Sequence, residues 1–268
     1  MTATYMRAFI YCTAEAVLHA SRMSAILNHA FIAVLAGIVA GAIAAIAGFG
    51  IGSILTPLLG VWVGTKLAVA LVSIPHFIGT SLRFVVIRRH VDRHVLWSFG
   101  LTSATGGLLG AILHIWLRSA VLGYVLGALL VFAGISGITG VAARMRFGRR
   151  TAWVAGALSG LFGGLVGNQG GIRSAALLGF NLQRDAFVAT ATAIALLIDL
   201  CRMPVYAALQ FSSILAQWQM TVVATIGVVV GTLSGKWMLQ RIPPNVFRVA
   251  VSITILVLGI WIFLRPNP

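Results

Sequence analysis

Gly167-Asn168-Gln169-Gly170-Gly171-Ile172-Arg173 is the stretch on which the reading of this chain turns. Apolar runs flank it at 152–166 and 174–180, each too short to span a bilayer comfortably. A helix crossing the hydrocarbon core needs about 20 residues, and a glycine inside a helix costs about 1 kcal/mol. A hydrophobic segment of membrane length therefore breaks at its centre. The break carries two amides and an arginine where lipid favours leucine. A second break of the same kind lies earlier, at Gly48-Phe49-Gly50-Ile51-Gly52.

A shift of 119 residues lays one break on the other. Gly37 then falls on Gly156, Gly41 on Gly160, Gly48 on Gly167 and Gly52 on Gly171. Arg83 falls on Arg202, and with two more residues of offset Gly106 and Gly110 meet Gly227 and Gly231. Small residues match easily in apolar chains; a matched pair of arginines is the stronger sign. We read an internal duplication, with repeat 1 at 30–143, a basic linker at 144–151 and repeat 2 at 152–265. Residues 1–29 form a lead-in. Paired broken segments in the two halves of a duplicated membrane protein point to a transporter's binding site.

Composition sets the class. Of 268 residues, 60% are apolar and only 9% charged, which no soluble domain would show. In lipid each backbone polar group must be satisfied within its own segment, so the apolar runs are helices. The expected fold class is all-α: a polytopic integral membrane protein of two sequence-related repeats. Each repeat has a glycine-broken, re-entrant first segment followed by three transmembrane helices.

There are 19 Lys and Arg against four acids, Glu15, Asp92, Asp185 and Asp199. In a soluble protein such an excess would suggest nucleic acid; here it sits in short connections, as the positive-inside rule requires. Basic loops at 88–94, 144–150 and 236–248 are expected to face the cytoplasm, and the uncharged loop at 209–217 to face out. Re-entrant breaks followed by three crossings satisfy this and make the repeats inverted. Full crossings at the breaks would make them parallel and turn loop 236–248 outward, so the charges favour inversion. The lead-in lacks the charged start, apolar core and cleavage site of a signal peptide. Met23 is an alternative start, because the repeat pattern begins only near Phe31.

A charge at mid-span costs about 2.5–3.5 kcal/mol on insertion scales and marks function by default. Arg202 is such a charge, with Asp199 one turn earlier on the same face. Their plain reading is a mutual ion pair; the functional one has Arg202 bind an anion while Asp199 orients it or carries a coupling proton. His76, after Pro75, is a second proton-coupling candidate, though a lone histidine more often packs. Arg83 sits near a basic loop and could simply snorkel. At the breaks, a half-helix starting near Gly171 aims free N–H groups at the centre, a natural anion site. Asn168 and Gln169 add donors and Arg173 adds a charge. The substrate-binding set is therefore Gly48, Phe49, Gly50, Gly52, Asn168, Gln169, Gly170, Gly171, Arg173, Arg202 and Arg83. No nucleophile stands beside a base and no metal spacing occurs, so no catalytic residue, metal or cofactor is expected. Two cysteines, Cys12 and Cys201, make no disulfide framework.

The run Gly48-Phe49-Gly50-Ile51-Gly52-Ser53-Ile54-Leu55-Thr56-Pro57-Leu58-Leu59 resembles the first repeat signature of the TauE/SafE family of sulfite and organosulfonate exporters. Val69 to Pro75 and the basic loop after it are similar too. Gly167 to Gly171 and Ala189-Thr190-Ala191-Thr192-Ala193 occupy the second signature, so the resemblance spans about 31–264. Ile51 interrupts the usual glycine run, and Asn168-Gln169 replaces a plainer pair. The resemblance implies a multi-pass inner-membrane secondary transporter that exports a small anion, sulfite or an organosulfonate, by alternating access. A passive anion channel and a non-transporting membrane subunit are the alternatives. The expected partners are the small anion and the lipid bilayer, with no nucleic acid; homo-oligomerisation stays open. If Asp199 carries a coupling proton, Asp199→Asn abolishes uphill anion transport in vesicles, and a variant that still concentrates its substrate removes the residue from that role.

Overall fold

The computed structural model describes residues 28–141, 149–168, 170–180, 182–239 and 242–266. Gln169, residues 1–27 of the lead-in and residues 144–148 of the linker lie outside the described residues. The described regular elements are all helices. In the first half they are α1 Asn28–Ala47, α2 Ile51–Val63, α3 Thr65–Ile87, α4 Arg93–Trp116 and α5 Ser119–Thr139. In the second they are α6 Arg149–Val166, α7 Gly170–Leu178, α8 Arg184–Ala216, α9 Trp218–Leu239 and α10 Pro244–Leu264. A 3-10 turn, Arg88–His90, leads from α3 towards α4, where the Asp92 carboxylate accepts from the Val95 N–H and caps α4.

Both breaks are real interruptions. Gly48 and Gly167 end α1 and α6 with φ of 79° and 72°, a left-handed conformation that glycine adopts without penalty. At the first break the chain doubles back. The His29 and Trp62 rings, at the far ends of α1 and α2, lie 4.7 Å apart, so the two helices form an antiparallel hairpin.

Seven of the described helices are long and apolar enough to cross a membrane, α1 among them. One expectation needs correction. The stretch 209–217 is only in part a connection: the chain kinks at Gln210, where the backbone angles are not helical, but is helical again to Ala216 before a turn at Gln217. Helix α6 is described from Arg149 onward.

The halves interlock. On α4, Gly106 and Gly110 lie against the backbone of α6 at Ala157 and Leu161, while Gly160 and Gly164 of α6 lie against Ser103 and Gly107. On α9, Gly227 and Gly231 meet α1 at Val34 and Ile38, while Gly37 and Gly41 of α1 meet Ala224 and Val228. Each half thus packs its first helix on the fourth helix of the other. Such close approach is how helices associate where lipid removes the hydrophobic drive. Helices α5 and α10 pair through Gly127, Gly134 and Gly259, and α3 lies against α8 at the centre.

The outer surface is apolar, with Val86, Leu109, Leu233 and Val257 among many exposed side chains. Trp97, Trp116, Trp153, Trp218, Trp237 and Trp261 are exposed close to helix ends, where aromatic belts meet the headgroups. Gly160→Val forces the backbones of α6 and α4 apart. It is expected to destabilise the protein by at least the ~1–3 kcal/mol of an overpacked core, read as a lowered midpoint of thermal unfolding in detergent.

Candidate functional site

The two breaks meet. The backbone carbonyl of Gly167 touches Gly52, Phe49 seats on Gly170, and Ser53 Oγ donates to Asn168 Oδ1 at 3.2 Å. A Cβ at Gly167 would sit 3.3 Å from Arg202 Nη1 and 3.6 Å from Thr56 Oγ1. Gly48 faces Val188 of α8. Both glycine turns are therefore held against α3 and α8, the helices that carry the charges.

Those charges are out of reach of lipid and water. Asp199 is 0% exposed, Arg202 1%, Arg173 2% and Arg83 7%. Asp199 lies 2.7 Å from His76 Nδ1 through one oxygen and accepts from Arg202 Nε at 2.8 Å through the other. Arg202 Nη1 also donates to Gly163 O at 3.0 Å. One turn on, the Tyr206 hydroxyl donates to Gly164 O. Arg83 donates through Nε to Thr192 Oγ1 at 3.0 Å and through Nη1 to Ala44 O. Arg173, in the first turn of α7, differs: its Nε and Nη1 are buried without a hydrogen-bond partner, within electrostatic reach of Arg83 and Asp199. Buried polar groups are nearly always paired, so an orphan guanidinium calls for a ligand or another reason.

Among the described residues, three buried arginines face one buried carboxylate. The mutual ion pair of Asp199 and Arg202 exists, with His76 added, and leaves Arg83 and Arg173 without an acid. Of the residues expected from sequence, the fold brings together Gly48, Phe49, Gly50, Gly52, Asn168, Gly170, Gly171, Arg173, Arg202, Arg83, Asp199 and His76. Sequence reasoning missed Ser53 and Thr56 on α2, Thr192 on α8 and Tyr206. Their signal was present: polar residues three apart in an apolar helix, and a tyrosine four residues after a mid-span arginine.

Beside the breaks lies a cavity of about 370 Å³ between α5 and α10, reached by Phe49, Gly171 and Ser174 and walled by Phe132, Phe247 and Ile255. Arg248, on the exposed face of α10, lines it too.

The profile of the sulfite exporter TauE/SafE family matches residues 33–262. The chain belongs to the TauE/SafE sulfite exporter family. TauE/SafE proteins are membrane transporters, and this member is a multi-pass membrane protein of that type. No curated protein and no solved structure gives a significant match to the chain.

Burial without partners predicts an uncommon result for this TauE/SafE member. Arg173→Met removes an unpaired buried cation and should stabilise the ligand-free protein by at least about 1 kcal/mol. Arg202→Met leaves Asp199 with His76 alone and should destabilise the protein by up to about 3–5 kcal/mol. Tryptophan fluorescence on heating in detergent, without added anions, separates the two signs.

Proposed function

We propose that this protein exports a small oxyanion, sulfite or an organosulfonate, by proton-coupled alternating access, with the anion bound where the two breaks meet. One observation carries the reading: among the described residues, three buried arginines stand against one buried acid, with two donors of Arg173 unmatched. Unbalanced positive charge in a low dielectric is costly, and an anion entering there supplies the missing partner. Arg173, Asn168 and the N–H groups opening α7 hold it, and Gln169, the next residue in the sequence after Asn168, is assigned to the same set; Arg83 and Arg202 complete the positive field. Cations and N–H dipoles aimed at one point are how proteins recognise small oxyanions.

The coupling proton is carried by the His76–Asp199 pair. Protonating the pair removes the one buried negative charge that opposes the anion, so the proton and the anion favour one another at the site. The two halves act as inverted repeats, 30–143 and 152–265, whose re-entrant first segments supply the breaks. The reciprocal packing of α1 on α9 and α6 on α4 supports this reading, as does the helical hairpin at the first break. Rocking one half against the other would open the site to either side in turn.

Sulfite efflux from proteoliposomes tests the proposal. Wild type should accelerate when the side that holds sulfite is made acidic, because protonation and anion binding favour one another at the site. Arg173→Gln should lose about 10–100-fold in apparent sulfite affinity, the worth of a charged hydrogen bond or two. Flux indifferent to the pH gradient would make the protein a passive anion channel, and no sulfite flux would discard that cargo.

A further inference from the structure

We propose that Arg83 and Arg202 are a matched pair of positioning residues, each clamping the end of the broken helix in its own half rather than binding the transported anion. The geometry is the same twice. At the first break the Ala44 carbonyl accepts from the Gly48 N–H at 3.0 Å and also from Arg83 Nη1. At the second, the Gly163 carbonyl accepts from the Gly167 N–H at 3.0 Å and from Arg202 Nη1 at 3.0 Å. Ala44 and Gly163 are related by the same offset of 119 residues that relates Gly48 to Gly167 and Arg83 to Arg202. In each half, therefore, a guanidinium from the third helix reaches the carbonyl four residues before the glycine that ends the first.

The physical need is clear. A helix that ends inside the protein leaves its last carbonyls without intrahelical donors, and its C-terminal end carries partial negative charge. A buried arginine adds a second donor to the last carbonyl that is paired within the helix, and sets a compensating charge beside the unpaired ones that follow. Each clamp also crosses to the other half through its remaining nitrogens. Arg83 reaches Thr192 of α8 directly, and Arg202 reaches His76 of α3 through Asp199. The clamps thus tie the shape of each glycine turn to the position of the opposite half.

The two clamps are not chemically equal. Thr80 stands at the position that matches Asp199, and its hydroxyl has no partner. The first clamp holds no acid, so Arg83 variants report on the clamp alone.

Amide hydrogen exchange on the purified full-length protein tests this without assuming any substrate. Arg83→Gln should speed exchange of the peptide containing Gly48 tenfold or more and leave that containing Gly167 within twofold. Arg202→Gln should do the reverse. The lysine variants, which keep the charge and one donor, should restore at least half of the lost protection, and they carry the test if a glutamine variant does not fold. Unchanged exchange at both breaks, or equal loosening of both breaks by either variant, overturns the proposal. Sulfite efflux adds a second readout: Arg83→Gln should lower the maximal rate while KM stays within twofold. A raised KM at unchanged maximal rate would instead make Arg83 a ligand. Absence of sulfite flux from the wild type would count against the proposed cargo, while the exchange pattern would still decide the clamp.

Discussion

A helix that stops inside a membrane protein exposes carbonyls where no water can reach them, and this constraint organises the molecule. In lipid, irregular backbone is tolerated only where protein or a polar cavity satisfies it. Here two helices stop, at Gly48 and Gly167, and each stop is answered by a guanidinium from a neighbouring helix. The arginines could not sit in the middle of α3 and α8 without such partners, and the broken helices could not end there without the arginines. The breaks and the charges stabilise one another.

The same pairing explains why buried polar groups gather at the breaks. Around the glycine turns stand Ser53, Thr56, Asn168 and Thr192 among the buried polar groups, with His76 and Asp199 joining the two halves. Farther out the molecule reverts to what lipid demands, with glycine-lined helix contacts and an apolar surface banded by tryptophan. Polarity is concentrated where the chain departs from regular helix, so specificity and backbone irregularity share one location.

Much of this was legible in the sequence. Glycine clusters interrupting apolar runs marked both breaks, and the offset that matched Arg83 with Arg202 also matched the glycines that pack α1 on α9 and α6 on α4. The ion pair of Asp199 and Arg202 followed from helical spacing alone. What spacing could not give was contact between segments far apart in the chain: His76 against Asp199, Ser53 against Asn168, and the missing partner of Arg173 are all products of packing. The overlong connection expected at 209–217 has a local cause. Absence of charge was read as a surface turn, whereas Leu209, Phe211 and Leu215 are side chains that a lipid-facing helix can keep exposed.

The crossed packing of the halves bears on how the protein is made. Helix α6 finds its partner α4 already synthesised when it leaves the ribosome. Helix α1 does not, because α9 lies nearly 200 residues further along. Until then the face of α1 that α9 will cover must rest in lipid. Helix α1 is the most apolar of the seven candidate spans. Its apolarity thus matches the order of synthesis: the helix face that waits is built to be stable in lipid.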